Sequence, residues 1–254
     1  MSSTAIAARP HRHPARSAFF LKLFRMYLRR KFQSSFDGIY LSGLSEIQEL
    51  AKTHSVVASA NHVAWWDALL LVSAVEPIGI PSFALMDEDN LKKYPFFGWL
   101  GAIPLNRSGG IKVKRDIQYA LQLLRSARCV VWMFPQGRQR AAHLRPLGIK
   151  SGIFSIIKRT DALHIPVSIT YGYREAPNPT ILMHFGEPLP TPESQQECIN
   201  QLEARITAGL AKNDAALDAD DLTDYTPLFA GKQKHEGDGF GAMVLKFFAP
   251  RASR

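Results

Sequence analysis

The chain of 254 residues is 46% apolar, enough to bury the core of one domain and too apolar for a globally disordered protein. Lys and Arg outnumber Asp and Glu by 31 to 22, a net charge of +9, which favours anionic partners such as phospholipid headgroups, nucleic acid or phosphorylated substrates. Two cysteines, Cys129 and Cys198, exclude a disulfide framework and lack metal-ligand spacing, as in a reducing compartment.

Residues 1–16 read as a disordered basic tail, with Pro10 and Pro14 flanking His11-Arg12-His13; organelle transit peptides share this acid-free composition. Basic residues interrupt the apolar part of the N-terminus, so no secretory leader is expected. From residue 17 to 37 the pattern predicts an amphipathic helical segment. Phe20, Leu23, Phe24, Tyr27 and Leu28 recur at helical spacing, with Lys22, Arg25 and Arg29 on another face. A helix of that kind lies in an anionic membrane interface or packs on a domain. No apolar run reaches the roughly 18–20 residues that a membrane-spanning helix needs.

Residues 38–212 alternate apolar runs with helical patterns, which predicts an α/β domain with a largely parallel or mixed central sheet flanked by helices. The expected strands are 56–60, 78–85, 102–105, 129–134, 165–171 and 181–185. Val113, Ile117, Ala120, Leu121 and Leu124 trace one helix face between the third and fourth strands. A long helix is expected to start near Ser194, which with Glu197 resembles a capping box, and to bury Ile199, Leu202, Ile206 and Leu210. Residues 213–254 form a C-terminal extension. Within it the acidic stretch 214–224 is expected to be exposed, and the apolar run 240–248 to dock on the domain.

The chemistry concentrates where the first predicted strand gives way to Asn61-His62-Val63-Ala64-Trp65-Trp66-Asp67. α/β proteins place their sites at such strand ends. A helix starting near Ala64 or Trp65 would fold Asp67 back beside His62, where a carboxylate fixes the tautomer and stabilises the imidazolium. A pair at this spacing also arises by chance, so its neighbours in other blocks matter. Gly101 to Arg107 ends one predicted strand with an arginine, and Phe134-Pro135-Gln136-Gly137-Arg138 ends the next with Arg140 close by. Pro166 lies in a further strand. Arginine suits phosphate through its planar fork of donors, and Gly137 permits positive φ and close backbone approach.

These blocks, in this order over residues 55–170, resemble the glycerophospholipid and lysophospholipid acyltransferases, typified by 1-acylglycerol-3-phosphate acyltransferase. The resemblance matches Asn61, His62 and Asp67 to the asparagine-histidine…aspartate motif, Gly101–Arg107 to the second block, and Pro166 to the fourth. The third block normally reads Phe-Pro-Glu-Gly-Thr-Arg; here Gln136 stands for the glutamate, and the arginine falls at 138 or 140.

The resemblance implies transfer of a fatty acyl group from acyl-CoA or acyl-carrier protein, without a resident cofactor or metal, to a lysolipid hydroxyl. His62 would be the general base, assisted by Asp67. Asn61, Arg107, Pro135, Gln136, Gly137, Arg138, Arg140 and Lys150 are the expected substrate-binding residues. The expected place is the cytoplasmic face of a membrane, peripheral or monotopic. Gln136 opens a second acceptor class, a non-phosphate alcohol such as a glycolipid or amino-acid lipid. The net charge also permits a non-enzymatic basic protein binding membrane or nucleic acid. Nucleic acid is not an expected partner, because aromatics are not interleaved with the basic residues and no recognised motif appears.

Overall fold

The computed structural model describes residues 16–106 and 110–230. Most of the predicted tail, Arg107 and the apolar run 240–248 therefore lie outside the described residues. Helix α1 (Ala18–Ser35) leads into β1 (Gly38–Ser42), α2 (Leu44–Leu50), β2 (Val56–Ala60) and α3 (Trp66–Ala74). Next come β3 (Ser82–Asp87), α4 (Glu88–Lys93), α5 (Phe97–Leu100), β4 (Ala102–Leu105), α6 (Gly110–Ser126) and β5 (Val130–Met133). The chain continues through α7 (Phe154–Ile157), β6 (Leu163–Gly172), β7 (Thr180–Phe185), α8 (Gln195–Asp218) and β8 (Thr226–Ala230).

One eight-stranded sheet runs in the order β4-β3-β5-β2-β6-β7-β1-β8 among the described residues. Strands β4 through β6 are parallel neighbours; β7 is antiparallel to β6, and β8 antiparallel to β1. The fold is the mixed α/β architecture that the apolar runs predict. All five residues of β2 are buried, as a central strand covered on both faces requires. Val56, Ala58 and Ala60 face one core with α1 and α3, whereas Val57 joins a second core with α6 and α8.

The structure departs from the predicted elements in four places. The run 78–85 is a strand only from Ser82, because the chain turns at Gly79 (φ 78°) between Pro77 and Pro81. Strands β1 and β8 were not expected; β8 carries Pro227, which an edge strand tolerates. Helix α8 continues to Asp218, through the first half of the expected acidic stretch. Ser194 caps it by accepting from the Glu197 N–H at 3.1 Å, but the Glu197 carboxylate reaches back to the Glu193 N–H, one residue before the cap.

The fourth departure is α1, whose apolar residues spread over too wide an arc for one face. Leu21, Leu28 and Phe32 are buried in the domain core, while Phe19, Leu23, Met26 and Tyr27 point outward. Phe32 packs between Phe36, Trp66 and Phe229, so this helix and β8 share one core with the central domain. Replacing Phe32 with Ala should cost about 3–5 kcal/mol of unfolding free energy, and replacing Leu23 with Ala under about 0.5 kcal/mol. Urea denaturation of the two variants measures the contrast; equal effects would contradict the packing.

Candidate active site

The site begins where β2 ends. Asn61 is 1% exposed, and its carboxamide continues the ladder towards β6. Nδ2 donates to the Ile169 carbonyl at 2.9 Å, and Oδ1 accepts from the Ile169 N–H at 2.7 Å. With both ends held by main chain, Asn61 fixes the exit of the chain from the sheet.

Asp67 lies in the first turn of α3 and is fully buried. Its Oδ2 accepts from the Val63 N–H at 2.7 Å, the Ala64 N–H at 2.9 Å and His62 Nδ1 at 2.8 Å. Its Oδ1 accepts from the Tyr171 hydroxyl at 2.6 Å. An uncompensated buried carboxylate would be strongly destabilising; four donors and the positive end of α3 supply the compensation. Because two main-chain N–H groups already donate to Oδ2, that oxygen accepts from the imidazole as well. The hydrogen therefore sits on Nδ1, and Nε2 carries the lone pair.

Tyr171 was not foreseen as a site residue. It ends the predicted strand 165–171, and the only hint was that a buried tyrosine hydroxyl needs a partner. Burial, reinforced by the neighbouring Asp67 charge, pushes its pKa well above the ordinary value and keeps it a donor.

The imidazole of His62 stacks on Phe134, with centroids 4.1 Å apart and planes 15° from parallel. Phe134 opens the loop after β5, which holds the third block. Gly137 has φ 70° there, the conformation its position predicted, and its N–H donates to the Phe134 carbonyl at 2.9 Å. The Pro135 carbonyl accepts from the Lys150 N–H at 2.9 Å, while the Lys150 side chain is exposed. Gln136 is 3% exposed; its Oε1 accepts from the His62 N–H and its Nε2 donates to the Leu147 carbonyl. Arg140 donates from Nη1 to the carbonyls of Pro146 and Leu147.

Asn61, Gln136 and Arg140 thus hold backbone. Arg138 is exposed and lines the cavity beside His62. This cavity has a volume of about 540 Å³. Away from His62 its wall is largely apolar, built by Leu71, Val75, Ala84, Phe97 and Leu100; Asp87 and Asn90 add polar groups, and Arg25, Lys93 and Arg138 place cations on its lining. A base whose Nε2 has no partner among the described residues, beside a largely apolar cavity, can deprotonate a hydroxyl while the cavity holds a hydrocarbon chain.

Tyr171→Phe deprives Asp67 of one donor and should lower stability at pH 7 by roughly 1–3 kcal/mol. The raised pKa of Tyr171 stabilises the fold below the ordinary tyrosine value of about 10, and that contribution is lost as pH rises beyond it. The stability gap between wild type and variant should therefore narrow above pH ~10. Urea unfolding of both proteins from pH 7 to 11 checks this, and a constant gap would contradict it.

No individual curated protein matches the chain. A family model described as Acyltransferase matches residues 39–170, a span that contains His62, Asp67 and the Gln136 loop, ends one residue before Tyr171, and covers just over half of the sequence. The chain belongs to the acyltransferase family.

Proposed function

We propose that the protein moves a fatty acyl group from a thioester, acyl-CoA or acyl-carrier protein, to the hydroxyl of a lysophospholipid of the 1-acylglycerol-3-phosphate type, at a membrane surface. The carrying observation is the orientation of His62. Nδ1–H is held by Asp67, and Nε2 has no hydrogen-bond partner among the described residues, next to a largely apolar cavity.

In this reading Nε2 takes the proton of the acceptor hydroxyl as its oxygen attacks the thioester carbonyl. The tetrahedral oxyanion then collapses, the C–S bond breaks, and the imidazolium returns the proton to the departing thiolate. Ester and free thiol are the products, and Asp67 stabilises the transient imidazolium. A cysteine acyl-enzyme is disfavoured, because Cys129 and Cys198 are buried and burial pushes each thiol up to about 11.

Arg138 on the cavity lining suits the phosphate of the acceptor. Arg107 carries the same expectation from the sequence alone. The glutamine of the third block had motivated a non-phosphate acceptor. Its carboxamide is engaged by His62 N–H and the Leu147 carbonyl, so that substitution gives no reason to abandon a phosphate.

The outward face of α1 supports membrane association. Phe19, Leu23, Met26 and Tyr27 are each about half exposed or more, beside exposed Lys22, Arg29 and Arg30, and Trp99 is partly exposed nearby. Such a surface seats in an anionic interface, although no helix among the described residues is long and apolar enough to cross a membrane.

Purified protein, labelled acyl-CoA or acyl-carrier protein, and a panel of lysophospholipid and glycolipid acceptors test the reading. Wild type should acylate the lysophospholipid, and His62→Ala should lose roughly 10²–10⁴-fold in rate with its fold retained. Turnover by His62→Ala within about twofold of wild type would refute the role of the base. Because Leu28 and Phe32 are core residues, membrane binding is better tested with Leu23→Ser/Met26→Ser/Tyr27→Ser than by deleting the helix. That variant should lose most of its binding to vesicles containing anionic lipid; undiminished binding would contradict the assignment.

A further inference from the structure

Both polar groups of the His62 peptide are held by the loop after β5. The His62 N–H donates to Gln136 Oε1, and the His62 carbonyl accepts from the Arg140 N–H at 2.9 Å. Those two residues meet again at the peptide of Leu147. Its carbonyl accepts from Gln136 Nε2 at 2.9 Å and from Arg140 Nη1 at 2.6 Å, and its N–H donates to Glu203 of α8. Glu203 lies beyond the residues matched by the family model. The peptide carrying the imidazole is therefore connected through one loop peptide to a long helix.

Gln136 is the link that the chemistry constrains most tightly. One end of its side chain must accept from an N–H, and the other must donate to a carbonyl. A carboxamide does both. An ionised carboxyl can still accept from His62 but brings a lone pair against the Leu147 carbonyl. An apolar side chain leaves both groups unpaired in a buried place. Arg140 is already committed to the Pro146 and Leu147 carbonyls, and it packs against Gly148, where an added Cβ would lie 2.0 Å from Nη1.

We infer that Gln136 is a positioning residue for His62, fixing the base through the Leu147 peptide and requiring a side chain that donates and accepts at once. The inference rests on the reading of His62 as the base and deepens it. Gln136 is thereby removed from the substrate-binding residues expected from the sequence.

Gln136→Glu and Gln136→Leu test the proposal. The charged or titratable groups facing this position are His62, with Asp67 behind it, Arg140, and Glu203 across Leu147. They are common to wild type and variant, so the ratio of their rates isolates the introduced carboxyl. At pH 8, Gln136→Glu should have kcat lowered roughly tenfold with KM for the acyl donor unchanged. Buried and facing the Leu147 carbonyl, the introduced carboxyl should hold its proton to higher pH than an exposed glutamate, so the ratio should fall towards one by pH 5.5 as it regains a proton to donate. Gln136→Leu should lose kcat to a similar extent at both pH values.

Amide hydrogen exchange provides a readout that does not need turnover. The His62 N–H should exchange roughly tenfold faster in Gln136→Leu relative to the β2 amides, whose own change reports the general loss of stability. If wild type transfers no acyl group, the catalytic reading fails, but faster exchange would still establish the clamp. A wild-type-to-Gln136→Glu ratio independent of pH would overturn the proposal. So would unchanged His62 exchange, or kcat in Gln136→Leu within twofold of wild type. Should Gln136→Leu fail to fold, the pH dependence of Gln136→Glu decides.

Discussion

A carboxylate without access to water must be surrounded by donors, and the placement of Asp67 at 0% exposure organises the site around that requirement. The donors come from the imidazole of His62, the N–H groups of Val63 and Ala64, and the hydroxyl of Tyr171 on β6. Each has its own reason to be where it is. The two main-chain donors exist because the chain turns between β2 and α3. The tyrosine arrives because β6 lies directly beside β2 in the sheet. The imidazole is the member of the set with a nitrogen left over. Its tautomer therefore follows from the burial of its neighbour.

Around this charge the fold separates rigid from receptive parts. Asn61, Gln136 and the Arg140 N–H bind main chain at the start of the segment 61–67 and leave it little freedom. On the other side of His62 the wall is mainly aliphatic and aromatic side chains from α3, β3 and α5, with Asp87, Asn90 and cations also on the lining. Helix α1 joins the two regimes. Leu28 and Phe32 belong to the core, Leu21 and Arg25 line the cavity, and Leu23 and Tyr27 face outward. A membrane seated on that outward face would lie close to a cavity suited to hydrocarbon.

What could be read from the sequence was whatever depends on near neighbours along the chain. The apolar run of β2, the Ser194 cap and the return of Asp67 to His62 are local, and the structure places them as their spacing predicts. Tyr171 stands 104 positions from Asp67; only the strand order brings them together, and residue spacing does not encode that order. Asn61 and Gln136 were expected to bind substrate because a carboxamide does not reveal whether its partners are ligand or main chain. Gly148 separates the placements of Arg138 and Arg140. Its positive φ and missing Cβ let the Arg140 guanidinium fold back onto the loop, while Arg138 stays exposed. The five-residue strands β1 and β8 gave weak signals, and Pro227 further disguised the second.

Asp67 holds Nδ1–H of His62 and leaves Nε2 as the basic nitrogen of the ring. Nitrogen-15 NMR of the histidine ring, at a pH where the imidazole is neutral, observes this directly. Wild type should carry the hydrogen on Nδ1 and leave Nε2 bare, with the preference weakened in Asp67→Ala. A neutral ring carrying its hydrogen on Nε2 in wild type would contradict it.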